Sequence, residues 1–277
     1  MEDGNKLIGV VGHKPFTVPS DPMYRGIQVG QGVQIPGMLR DNTLDNIADK
    51  NDTYCELTAQ YWIWKNSDAE IKGLVHYRRI LGGEGRKAEL LESISARRQK
   101  ALSGEETEQL LQQYDVILPK MHNYVTETAL EHYQKNHVTG SSFDIIRQYF
   151  KENFSEYVEP LDNVLHSKQS HLFNILITRK EIFDAYSEWL FAVLGYVEQN
   201  VNTSGLSKSE RRIFGYLREI LLDVWIQAND LSHVGMPMLF LEHQNLPKRY
   251  MTGTLKKLGV INPAEQERTR MRNASNR

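Results

Sequence analysis

Short apolar runs alternate along this chain with stretches of helical periodicity. Leu7-Ile8-Gly9-Val10-Val11-Gly12 has the continuous apolar character of a buried parallel strand, with His13-Lys14 at its carboxyl edge. Residues 15–55 show little periodicity and are rich in Pro, Gly, Asn and Asp, which predicts a long loop region with fixed turns. Helical spacing begins at Glu56 and runs to Lys65, with Leu57, Tyr61 and Trp64 on one stripe. A second strand is predicted over Ile71–Tyr77, interrupted by His76-Tyr77-Arg78-Arg79. Glycine and charge dominate residues 82–99, and Ser103 with Glu106 three residues on predicts a capping box opening a helix through Leu110 and Leu111. Asp115–Pro119 is the third predicted strand and Leu172–Thr178 the fourth, with helices over residues 127–165 that turn at Thr139-Gly140 and near Pro160. Two long amphipathic helices, Glu181–Gln199 and Ser209–Asn229, flank Asn202-Thr203-Ser204-Gly205, and Val234–Leu241 closes the ordered part.

Strands separated by helices predict an α/β fold with a mostly parallel sheet flanked by helices. Ligands in such sheets sit at the carboxyl ends of the strands. Three segments gather there: Gly12-His13-Lys14, His76-Tyr77-Arg78-Arg79 and Lys120. All supply positive or protonatable groups, so an anion site is expected.

Charge sharpens this expectation. The 277-residue chain has a net charge of −2, but Lys248–Arg277 carries eight basic and two acidic residues, against 25 and 33 in residues 1–247. An acidic body argues against duplex nucleic acid as a partner. The basic tail, residues 246–277, suits either a solvated terminus or peripheral contact with an anionic membrane face. The longest apolar stretch, Trp189–Val197, is too short to span a bilayer, and the single cysteine, Cys55, excludes an internal disulfide. A cytoplasmic location is expected.

A guanidinium fork matches phosphate oxygens and stays charged, which makes Arg78 and Arg79 candidates for a pyrophosphate. Adjacent side chains at a strand end point to opposite faces, so one is expected to reach the ligand while the other pairs with an acid. Residues 41–52 are crowded with Asp and Asn, which fits local turns, ribose or base contacts, or magnesium bound through a substrate phosphate. A calcium loop is disfavoured because Asn46 sits where glycine is required. His132 and His137 lack the i, i+4 spacing of a metal pair, and no Walker loop, GxGxxG, HExxH or GxSxG occurs. Arg212 and Glu219 lie two turns apart on the last long helix; on a face turned to the crevice, Glu219 is a candidate base.

Asp41-Asn42, Asp45-Asn46-Ile47, Asn51, Tyr54-Cys55-Glu56-Leu57-Thr58, Tyr61-Trp62, Lys65-Asn66, Gly73-Leu74 and His76-Tyr77-Arg78-Arg79 together resemble a bacterial family found in capsular and exopolysaccharide synthesis. The likeness continues through Asp115–Lys120, Asn123-Tyr124, His132-Tyr133, His171-Leu172-Phe173-Asn174, Trp189-Leu190, Arg212, Phe214-Gly215 and Glu219. Members are regarded as glycosyltransferases, some linked to galactofuranose transfer. The resemblance implies one GT-A-like domain over residues 1–245, with a nucleotide-sugar half (about 1–120) and an acceptor half (about 121–245). No Asp-x-Asp follows the strand that would carry it. Arginine is therefore expected to replace the divalent ion, leaving no metal cofactor.

The expected reaction moves a hexose from a nucleotide sugar, UDP-linked by expectation, to a saccharide or lipid-linked saccharide acceptor. Glu219 takes the acceptor hydroxyl proton, with Asp144, Asp184 and Glu188 in reserve. Donor contacts are assigned to Val11, His13, Asp41, Asp45, Asn46, His76, Arg78 and Arg79, and acceptor contacts to His171, Asn174 and Arg212. A sugar-phosphate transferase and a non-catalytic binding factor are the rival readings.

Overall fold

The computed structural model describes residues 5–86, 92–242 and 268–269. Strand β1 (Lys6–Gly12) lies between β2 (Tyr24–Gln28) and β4 (Ile71–His76), parallel to both, while β3 (Leu39–Arg40) extends the edge beyond β2. The short helix α1 (Asn51–Tyr54) and α2 (Leu57–Asn66) lead from β3 into β4. The hairpin partner β5 (Arg79–Leu81) is followed by α3 (Ile94–Gln99), α4 (Gly104–Leu111), β6 (Val116–Pro119) and β7 (His122–Asn123). Next come α5 (Ala129–Asn136), α6 (Ser142–Asn153), α7 (Val158–His166), β8 (Gln169–Ser170) and β9 (Leu176–Arg179). Helices α8 (Lys180–Asn200) and α9 (Ile213–Ala228) and strands β10 (His233–Met236) and β11 (Met238–Phe240) complete the described body.

The main sheet runs β10-β6-β9-β4-β1-β2-β3, with β5 and β11 attached beyond β4, and only β9 and β5 oppose the common direction. It is therefore mostly parallel. Strands from both ends of the sequence interleave in this one sheet, because β9 packs directly beside β4 and carries β6 and β10 on its other side.

Period-two alternation divides the core. Leu7, Val11, Leu74, Val116, Leu118 and Leu176 face the large helical layer with α2 and α6 to α9; Ile8, Val10, Val75, Ile117 and Ile177 face the smaller layer with Leu111 and Leu239. Lys72 falls on the helical face and is fully buried, with its ammonium 2.6 Å from Asp184 of α8. Gly73 permits the β4–β9 approach: a Cβ there would lie 2.8 Å from the Leu176 carbonyl oxygen.

Several predicted boundaries move. The supposed loop 15–55 contains β2, β3 and α1. Pro160 does not break a helix but sits in the first turn of α7, where its missing N–H costs nothing. The fourth strand starts at Leu176 rather than Leu172, because Phe173 and Asn174 adopt φ of +76° and +51°, which no strand accommodates. The Ser103–Glu106 capping box is present on α4. Among the described residues no helix is long and apolar enough to cross a membrane. Apart from Arg268 and Thr269, the basic tail lies outside the described residues.

Candidate active site

Because β1, β4 and β6 run the same way, their carboxyl ends emerge along one sheet edge. There His76-Tyr77-Arg78-Arg79 forms a tight hairpin, with His76 paired to Arg79 across the two-residue turn. The Tyr77 N–H donates to the Val11 carbonyl at 3.0 Å, which ties this hairpin to the end of β1. The two arginines diverge. Arg78 pairs with Glu242 at 3.4 Å, whereas Arg79 places its guanidinium 4.4 Å from the Phe173 ring centroid and makes no ion pair among the described residues. Burial lowers the Arg79 pKa first, with Arg78 adding to it, against the pull of Glu242, Glu219 and Glu56.

A cationic rim surrounds this turn. His13 is exposed and edge-on to Tyr77 at 5.7 Å, and its pKa is depressed by partial burial and by Lys14, Arg78, Arg212 and Lys208. Four fixed or basic cations thus act on one imidazole, on a body that is otherwise acidic.

Behind the rim lies a polar cluster organised by the loop 171–175. Three α9 residues spaced by four, Gly215, Glu219 and Asp223, share a face and each grips this loop. The Gly215 carbonyl accepts from the Asn174 amide at 2.9 Å, and Glu219 accepts from the Phe173 N–H at 3.0 Å. Asp223 accepts from the His171 N–H at 2.9 Å and from His171 Nδ1 at 2.5 Å. The opposite side is held by His76, whose Nε2 donates to the Phe173 carbonyl at 2.6 Å, and by Asn174, which donates to Glu56 at 2.6 Å. These six bonds hold two consecutive left-handed residues, a costly conformation that persists only when its surroundings fix it.

The two carboxylates of the cluster are set apart electrostatically. Burial pushes Glu56 up, but His76 and the Asn174 amide outweigh it and hold Glu56 below the ordinary carboxylate value. Burial depresses the His76 imidazole, with Arg79 and Arg218 reinforcing the effect against Glu56. Glu219 keeps partial solvent access, yet burial raises it to about 7; Glu56 adds to the rise, while Phe173, Arg218 and Arg79 oppose it. One carboxylate is therefore fixed as an anion and the other is poised to exchange a proton near neutrality.

Other sequence-selected residues have different surroundings. Val11 is buried in β1. Asp41 is fully buried, accepts from Thr58 Oγ1 at 2.5 Å and has Oδ1 without a partner; burial raises its pKa. Asp45 is engaged by Tyr61 and Asn66, and Asn46 bonds Leu44 and Ala48, so both serve their own turn. Arg212 stands at the N-cap position of α9 without a side-chain capping bond and donates to Cys55 Sγ at 3.0 Å, its guanidinium pKa raised despite burial by the thiol beside it. Of the reserve acids, Asp184 holds Lys72, Asp144 pairs with Arg147 at 3.2 Å and Glu188 is exposed. Among the described residues no group of three or more His, Cys, Asp or Glu is arranged to hold a metal ion.

Sequence reasoning missed Glu56, Arg218 and Asp223 as members of this cluster. The i, i+4, i+8 spacing of Gly215, Glu219 and Asp223 was the available signal for Asp223. Nothing local marked Arg218, which is fully buried with Nε and one terminal nitrogen unpartnered.

No curated protein matches the chain. The apo structure of the bifunctional glycosyltransferase WbbM superimposes with a TM-score of 0.79 and 25% identity, over 86% of this chain and 45% of that one. This chain thus spans less than half of that protein. A family model described as a domain of unknown function, DUF4422, matches residues 7–230. With most of its length inside that match, the chain belongs to the DUF4422 family.

Proposed function

We propose that this chain is a glycosyltransferase that moves a hexose from a nucleotide sugar to a saccharide acceptor. The observation that carries the reading is the arrangement at the carboxyl edge of the sheet. An arginine without an ion-pair partner among the described residues, Arg79, and a carboxylate poised near neutrality, Glu219, converge on one residue, Phe173. The fold shared with a bifunctional glycosyltransferase supports the same reaction class.

In this reading the diphosphate of the donor lies over the β4–β5 turn. Arg79 neutralises the charge that develops as the sugar–phosphate bond breaks, and His13 and Arg78 line the approach. Asp41, with its unpartnered Oδ1, faces the nucleoside end together with Val11, and Asp45 and Asn46 shape the turn beyond it. Glu219 accepts the proton of the attacking acceptor hydroxyl, and Arg218 and Arg79 moderate its pKa. His76 and Asn174 act as positioning residues that hold the 171–175 loop, with Arg212 and His171 on the acceptor side. UDP as the carrier, galactofuranose or another hexose as the sugar, metal independence, and a place in capsule, exopolysaccharide or O-antigen synthesis at the cytoplasmic membrane face all belong to this proposal.

The test is incubation of the full chain with a panel of nucleotide sugars and saccharide acceptors, with and without chelator, followed by mass and linkage analysis. A glycosidic product formed in chelator is expected. A phosphodiester product, or tight nucleotide binding with neither transfer nor donor hydrolysis, would overturn the reading. Loss of activity in chelator with recovery on added manganese would overturn its metal-independent part.

A further inference from the structure

Beside the start of the 171–175 loop, a cavity of about 610 Å³ opens between the ends of α7 and α9 and the start of β10. That volume falls in the range of small-ligand sites, ~300–1,000 Å³. At its inner wall His171 and Asp223 are 97% and 93% buried, and Nδ1 of His171 donates to Asp223 Oδ1. In the neutral tautomer that carries its proton on Nδ1, Nε2 of His171 is an acceptor with no hydrogen-bond partner among the described residues. Carboxamides of Asn163 and Gln227 and the carboxylate of Asp230 stand exposed at the rim, and Ile226 and Leu231 supply an apolar floor. Among the described residues, no hydrogen bond occupies the side chains of Asn163, Gln227 or Asp230.

Among the described residues, no lysine or arginine lines this cavity, in contrast to the cationic rim around His13. A phosphate or other anion would meet Asp223 and Asp230 with no fixed cation among the described lining residues to offset its charge, the imidazoles of His171 and His233 being the only protonatable nitrogens there. The lining instead offers amide donors and acceptors, an imidazole acceptor and a carboxylate around an apolar surface. Such a set matches the ring hydroxyls and the C–H face of a neutral sugar.

We propose that this cavity is a saccharide subsite, which holds a neutral sugar unit of the acceptor while its reactive hydroxyl reaches Glu219. The proposal rests on the glycosyltransferase reading. The two places are joined by short covalent steps: His171 is two residues from Phe173, and Asp223 is one helical turn from Glu219 on the same face of α9. The His171–Asp223 pair fixes both the loop that carries Phe173 and the Nε2 acceptor that meets the sugar.

The test uses the full chain and measures saturation-transfer NMR and calorimetric binding of lactose, maltose and cellobiose. A glucuronate-containing disaccharide is the anionic control, and UDP reports on the other site. Binding of at least one neutral disaccharide is expected, with at least tenfold weaker binding in the double variant Asn163→Leu/Gln227→Leu and unchanged UDP binding. These positions are exposed, so the fold tolerates the change, and circular dichroism checks it. Absence of binding by every neutral disaccharide up to 10 mM would overturn the proposal, as would unchanged binding in the double variant or equal binding of the anionic control. If a neutral disaccharide binds as described but no nucleotide sugar is ever consumed, the subsite stands and the glycosyltransferase reading fails. If nucleotide sugar is consumed and no neutral saccharide binds, the reverse holds.

Discussion

Glu219 carries the residue-scale claim, and its environment makes that claim measurable. A base must be ionised to accept a proton, so kcat/KM should rise with pH through an apparent pKa of about 7. Glu219→Gln keeps the oxygen that accepts from the Phe173 N–H but removes the basicity. Turnover should fall at least ~100-fold with donor affinity nearly unchanged. The same variant has a stability signature of defined sign. Between the ordinary carboxyl value of 4.5 and about 7, the folded protein keeps a proton that the unfolded chain has released. Stability is therefore lost as pH rises through that window, and the loss is complete above it. Glu219→Gln escapes the loss, so in thermal melts it should be more stable than the parent at pH 8 and equal to it near pH 4. Equal melting temperatures at pH 8 would show that the carboxyl is not raised.

At the scale of elements, the decisive piece is the loop 171–175 clamped between α9 and the end of β4. Asn174 both occupies the left-handed region and donates to Glu56 and Gly215. Asn174→Ala should lower stability by about 2–4 kcal/mol, since it removes a charge-assisted bond and leaves an unfavourable backbone conformation. Asn174→Gly loses the same bonds but suits φ of +51°, so denaturant titration should place it about 1 kcal/mol above the alanine variant. Legibility in the sequence divides along the same line. β1, β4, β6 and the long helices were readable because each carries its own period, and the capping box of α4 because its two residues are three apart. β2 and β3 were not, since their partner is β1 and short strands in a Pro- and Gly-rich stretch have no pattern of their own. The loop at Phe173 looked like a strand because it is apolar; its shape is imposed by Glu219 and His76, which are remote in sequence.

For the whole molecule, one sheet gathers strands from both ends of the described chain and brings His13, the β4–β5 turn, Glu56 and the α9 stripe to one edge. The cationic edge itself was legible, because basic and protonatable residues follow three strands that share a direction. Glu56 was visible only as part of a pattern, because its neighbours His76 and Asn174 come from distant elements. A site with this charge should respond to whole-molecule ligand screening. Among UDP, GDP, CMP and dTDP, one carrier at 100 times its dissociation constant should stabilise the chain by about 2.7 kcal/mol, and chelator should leave that shift unchanged. No shift with any of the four would leave the cationic edge without its expected ligand.

The central claim is that the guanidinium of Arg79 takes up the charge of the departing diphosphate. The most direct measurement is calorimetric binding of UDP and of uridine, in chelator, to the parent chain and to Arg79→Met. The substitution should weaken UDP at least tenfold and leave uridine binding within twofold. Equal losses for both ligands, or no loss for UDP, would contradict it.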